Sequence, residues 1–143
     1  MKIEKISDGN FKIYIYIKQN CDDLEKEIKK IIKKLQKKLK INGFYKVICI
    51  EKKYGLFLEL IKVEDAYYKS TLDIRVIFDK ESKVYFKTKD YFLLDNRFEI
   101  NYLDGYFYGL ADYFGDKLLE KVEFGDLVFG SSLEELLGDS YVI

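Results

Sequence analysis

DDLEKEIKKIIKKLQKKLK, residues Asp22 to Lys40, is the stretch whose periodicity decides the fold. Its apolar residues are Leu24, Ile28, Ile31, Ile32, Leu35 and Leu39, at offsets of 4, 7, 8, 11 and 15 from the first. Those offsets line one stripe of a helix with 3.6 residues per turn. Asp22 stands at the N-cap position, with Glu25 three residues on as in a capping box. Acids Asp22, Asp23, Glu25 and Glu27 fill the first turns; Lys33, Lys34, Lys37, Lys38 and Lys40 fill the last, which suits the helix dipole at both ends. Asn42-Gly43 supplies the stop. The prediction is a helix over 22–41 that lays its aliphatic stripe on a sheet.

The flanking sequence predicts that sheet. Met1–Ser7 and Phe11–Lys18 read as strands around the turn Asp8-Gly9-Asn10. Phe11, Ile13, Ile15 and Ile17 alternate with Lys12, Tyr14, Tyr16 and Lys18, which gives one core face and one Lys/Tyr ladder open to water or a partner. After the helix, Phe44–Glu51 and Tyr54–Val63 form a hairpin around Lys52-Lys53, apolar enough to be central. Thr71–Asp79 follows as a strand, with Lys83–Thr88 as its shorter partner across a turn at Lys80–Ser82. Tyr91–Leu94 either extends the sheet or crosses its end. Asp104-Gly105, between Arg97–Leu103 and Tyr106–Ala111, is the strongest hairpin signal in the chain. Asp116–Phe124 suits a short helix, and Ser132–Leu137 a last helical turn capped by Ser131 or Ser132. Strand, helix, strand and then hairpins argue for α+β architecture in a single domain, 1–143. The expected sheet is antiparallel-rich, of about seven to eight strands, packed by the helix 22–41 with one or two short C-terminal helices.

Composition narrows the chemistry. Among 143 residues there is no His, which removes the commonest general acid/base and the commonest transition-metal ligand. Pro and Trp are absent too. The longest runs free of charge, Gly105–Ala111 and Leu127–Leu133, have seven residues each, against about 20 for a spanning helix. The N-terminal stretch MKIEKISDGN has no apolar signal-peptide core, so the expected location is the cytoplasm. Cys21 and Cys49 have no metal-ligand spacing; Cys49, inside VICI, reads as a small core hydrophobe. Glycine-rich phosphate loops and the G-x-S-x-G elbow do not occur. No catalytic, cofactor-binding or metal-binding residue is assigned.

Three constellations remain. The first is the helix: its eight Lys against four acids leave +4, and Lys29, Lys30, Lys33 and Lys37, with Tyr14 and Tyr16 nearby, could meet nucleic acid phosphates and bases. Core spacing makes the same lysines a solvated outer face, and Arg, the better reader of guanine, is confined to Arg75 and Arg97. The second is a charge split: residues 1–62 carry net +8 and residues 63–143 net −8. Either the halves separate in space, giving a basic and an acidic face, or they interleave and pair. The third is FEINYLDGYFYGLADYFGD, residues 98–116, rich in aromatics and poor in Lys. It suits the centre of a protein-binding patch, with Tyr106, Tyr108, Asp104 and Asp112 as candidate contacts, and it suits a sheet core equally.

The opening MKIEKISDGNFKIYI and the helix-then-hairpin order after it resemble the MecA-type adaptors of bacterial proteolysis over a small part of the chain; no function is carried across. The leading expectation is a small cytoplasmic, non-enzymatic factor that binds another protein, of adaptor, inhibitor or immunity type. A nucleic-acid-associated protein using the Lys-rich helix is the alternative, and an enzyme of unrecognised type the second. No cofactor and no membrane span are expected.

Overall fold

A computed structural model describes residues 1–16, 23–68, 70–95, 97–130 and 133–142. Two compact units divide the chain at Lys80/Glu81. The architecture is α+β, with ten strands among the described residues in two mostly antiparallel five-stranded sheets.

The first unit is built on the stretch that opened the sequence reading. Strands β1 (Lys2–Ser7) and β2 (Asn10–Ile15) form a hairpin, helix α1 runs Leu24–Leu39, and β3 (Gly43–Lys52) turns into β4 (Gly55–Glu64). Strand β5 (Leu72–Phe78) completes the order β1-β2-β4-β3-β5. Both β2 and β3 lie antiparallel to β4, so the helix joins two parallel strands separated by one position, a split β-α-β unit. The β3–β5 pair is parallel. Ile28, Ile32 and Leu35 are buried against Ile13, Val47, Cys49, Leu56, Leu58 and Leu60, with Leu24, Ile31 and Leu39 partly buried around them.

Helix ends follow local chemistry. Asp23 is the N-cap, its carboxylate accepting from the Lys26 amide at 3.1 Å; Asp22 and Cys21 lie outside the described residues. At the other end the stop comes at Lys40, which adopts left-handed φ 54° while the Ile41 amide donates to the Gln36 carbonyl at 3.2 Å. That six-to-one bond is the Schellman arrangement, with a lysine where glycine is favoured. Gly43, at φ 98°, does a different job: a Cβ there would collide with the Glu64 carbonyl and the Ala66 amide.

The second sheet takes a different set of elements. Strands β6 (Tyr85–Thr88), β7 (Ile100–Leu103), β8 (Tyr106–Leu110), β9 (Asp126–Val128) and β10 (Tyr141–Val142) are ordered β10-β7-β8-β6-β9, all antiparallel. Helix α2 (Leu118–Lys121) sits between two 3₁₀ turns, and α3 (Leu133–Gly138) packs Leu133, Leu136 and Leu137 on Tyr85 and Tyr108. Asp104 (φ 52°) and Gly105 (φ 86°) make the two-residue turn with both φ positive that the sequence announced. The Asn101 amide donates to Ser140 Oγ at 2.9 Å, and that hydroxyl donates to the Leu137 carbonyl at 2.6 Å, which ties the end of α3 to β7.

Several expectations need correction. One sheet of about seven to eight strands is instead two sheets of five. Lys83–Thr88 does not partner Thr71–Asp79, because β6 pairs with β8 and β9. Of the two alternatives left for Tyr91–Leu94, extension of the sheet is ruled out, since Tyr91–Leu93 is a 3₁₀ turn. The β3–β4 turn is Lys53-Tyr54, one residue later than read, with Lys52 opposite Gly55. The Lys/Tyr ladder on β2 is not open, since Tyr14 is buried. Its ring stacks on Phe57 at 4.8 Å and its hydroxyl donates to the Tyr54 carbonyl at 2.9 Å. Burial, then the nearby Tyr16, raises the Tyr14 phenol above its ordinary value.

Two substitutions test this account. Lys40→Gly should stabilise by about 1 kcal/mol, since it relieves a left-handed lysine at an existing cap; denaturant midpoints read it. Ile32→Asp should unfold the unit and Ile31→Asp should cost less, because Ile32 is fully buried and Ile31 only partly. Equal effects would mean the helix face is misplaced.

Candidate interaction surface

The acidic, aromatic segment after residue 90 forms a cleft of about 320 Å³ within the second unit. Asp90 begins it by capping the 3₁₀ turn, its carboxylate accepting from the Phe92 amide at 3.0 Å. That turn leaves the Phe92 ring 91% exposed while Leu94 is buried on Gly109 of β8. Gly109 gives the Leu94 side chain room to sit close, since a Cβ would meet Leu94 Cδ2 at 3.0 Å and push it aside by a few tenths of an ångström. Asp95 then accepts from the Arg97 amide at 3.0 Å and takes its guanidinium through Nε (3.0 Å) and Nη2 (2.7 Å). Those hydrogen bonds hold the Asp95 carboxyl below the usual carboxylate range. Arg97 lies 6.0 Å from the Phe98 ring centroid, and Phe98 stacks on Tyr113 at 3.7 Å with the planes only 10° apart.

Tyr113 is placed from the other side. It ends the 3₁₀ turn Ala111–Tyr113, which the Ala111 amide fixes by donating to the Val84 carbonyl at 2.9 Å. Lys117 and Lys121, from the helical turns that follow, line the same cleft. Neither forms an ion pair among the described residues. The cleft thus offers cofacial aromatic area, one nearly bare Phe ring, and cationic groups beside them.

The residues singled out in the sequence do not gather at one place. Lys29 pairs with Glu25 at 3.3 Å and Lys30 with Glu27 at 3.6 Å, which compensates two of the four candidate lysines among the helix's eight. Lys33 and Lys37 are exposed. Tyr14 faces away from α1, on the Phe57 side of the sheet, and Tyr16 is half-buried just past β2. Tyr108 is buried and Tyr106 half-buried, with the Lys87 ammonium 4.1 Å from the Tyr106 ring centroid. Asp104 is exposed in its turn and Asp112 in the 3₁₀ turn beside Tyr113.

Phe92, Phe98, Tyr113, Lys117 and Lys121 carry the cleft, and none was singled out. The Asp95-Asn96-Arg97 stretch was the readable signal, since Asp readily bonds the backbone two residues on. Among the described residues no three His, Cys, Asp or Glu side chains converge to hold a metal. Burial pushes the Cys49 thiol up to about 12, so at neutral pH it carries essentially no thiolate. No described helix is long and apolar enough to cross a membrane.

Charge follows the structural division. Residues 1–80 hold 19 basic and 12 acidic residues, net +7; residues 81–143 hold 6 and 13, net −7. The comparisons with known proteins add no relative: no family model matches the chain, and neither a curated protein nor a solved structure matches it significantly.

Removing Arg97 tests the cleft's rim. In Arg97→Ala the Asp95 carboxyl should titrate at higher pH than in the wild type, followed by carboxyl NMR shifts. In the wild type, whatever stability the pair adds is complete above the ordinary carboxylate range. It disappears as pH falls through the lowered Asp95 value. An unchanged Asp95 titration would show that the guanidinium contact does not persist in solution.

Proposed function

We propose that the protein is a cytoplasmic, non-enzymatic binding factor of adaptor, inhibitor or immunity type, and that the aromatic cleft of its acidic unit is the contact surface. The observation that carries this reading is Phe92, 91% exposed, at a cleft it shares with the stacked Phe98–Tyr113 pair. Large aromatics and Arg dominate the energetic centres of protein interfaces. Covering one Phe ring with a partner is worth roughly 1.5–3 kcal/mol. The unit's net −7 speeds the approach of a basic partner at low salt, while Lys117 and Lys121 in the cleft itself favour an acidic or apolar group at the point of contact.

Photo-crosslinking from position 92 in the native cell identifies the partner, and titration with the purified partner then measures affinity. Phe92→Ala and Phe98→Ala should each weaken binding roughly tenfold or more, about 1.4 kcal/mol. Lys33→Ala should leave it unchanged. If no partner saturates and the purified protein instead turns over small molecules, the reading fails.

A second reading is favoured by one observation: the first unit is net +7, with Lys33 and Lys37 exposed on α1. It proposes nonspecific association with nucleic acid. The double variant Lys33→Glu/Lys37→Glu should lower affinity for a DNA or RNA oligomer, and binding should fall steeply as salt rises. Absence of binding at low salt removes it.

A further inference from the structure

The face of the first sheet opposite α1 has an end that nothing in the unit covers. Phe44 is 46% exposed and Val63 is 65% exposed, and with Lys46, Glu64, Asp73 and Arg75 they border a depression of about 500 Å³. The register places these residues in two rows across the strands. Asp73 on β5, Phe44 on β3 and Glu64 on β4 form one row. Arg75 and Lys46 form the next, two residues along each strand, a separation of about 7 Å. Val63 is the extra residue of the bulge between Lys62 and Glu64. The four charged side chains are exposed, and none takes part in an ion pair among the described residues.

The patch is therefore neutral overall but split into an acidic row and a basic row, with Phe44 and Val63 at the acidic end. Such a pattern complements itself. A two-fold axis lying in the interface, midway between the rows and parallel to them, exchanges one row for the other while keeping each strand opposite its own copy. Asp73 then meets Arg75 of the second copy, and Glu64 meets Lys46 diagonally. The Phe44 ring comes over the aliphatic stem of Lys46, and each contact occurs twice. A partner of uniform charge would leave one of the two rows facing like charge, which costs affinity.

We propose that this face is an isologous self-association surface, and that its occupant is a second copy of the same chain. It lies on the basic unit and is independent of the aromatic cleft. Six residues a side is well below the roughly 20–30 of a standard interface. The dimer is accordingly weak, salt-sensitive and concentration-dependent.

Sedimentation velocity tests this between about 10 μM and 1 mM, at low and high salt. Wild-type protein should shift from monomer toward dimer with concentration, less so at high salt. Lys46→Glu/Arg75→Glu makes the face wholly acidic and Glu64→Lys/Asp73→Lys makes it wholly basic. Each alone should stay monomeric, and an equimolar mixture should dimerise again. Circular dichroism establishes that the variants are folded, and the single changes Arg75→Glu and Asp73→Lys serve in their place if a double variant is not. A wild type that remains monomeric throughout overturns the proposal. So does a reversed variant that dimerises like the wild type, or a mixture that fails to associate.

Discussion

The packing of Ile28, Ile32 and Leu35 on Leu56, Leu58 and Leu60 is the interaction on which the first unit depends. The helix leaves β2 and enters β3, which run parallel with a gap of one strand between them, and β4 fills that gap. The ladders to β4 hold β2 and β3 side by side, and the aliphatic stripe covers the face that the three strands share. Burying three such side chains contributes roughly 5–9 kcal/mol before ordering costs, against a net domain stability of about 5–15 kcal/mol. Loss of one contact is therefore a large fraction of the whole.

The helix was legible because its stripe, its acid-to-base order and its caps all say the same thing. The hairpin turn at Asp104-Gly105 was legible because both positions must take positive φ and the residues suit it. What the sequence hid was which strands share a sheet. Strands β5 and β6 are neighbours in the chain and apolar, so pairing them was the economical reading, yet they belong to different sheets. Period-two alternation also misled at Tyr14. It separates the two faces of a strand correctly but does not say whether the second face is wet, and a Tyr with a carbonyl acceptor is easily buried. Strands β9 and β10, three and two residues long, are too short for a periodic signal. The cleft was legible only as a region rich in aromatics. Its individual residues depend on two 3₁₀ turns, one with Phe92 at its middle and one with Tyr113 at its end, both rings left exposed.

The two surfaces proposed for contact draw on different physics. The cleft of the second unit relies on aromatic area, with a unit-wide negative field to bring partners in. The open sheet end of the first unit relies on a short-range alternation of rows, inside a unit whose net charge is strongly positive. Salt acts on both, but at different distances. The long-range field fades within about a Debye length, near 8 Å at physiological ionic strength, while charge pairs in contact are screened less.

The boundary at Lys80/Glu81 also has a temporal meaning. Every strand and helix of the first unit lies within residues 2–78, so that unit can close its core while the remainder of the chain is still being made. At 5–20 residues per second, the 63 residues from Glu81 to Ile143 take roughly 3–13 s to synthesise. Residues 1–80, net +7, are made before residues 81–143, net −7, which offset them. Neutrality over residues 1–143 therefore arises only once the second unit has followed the first.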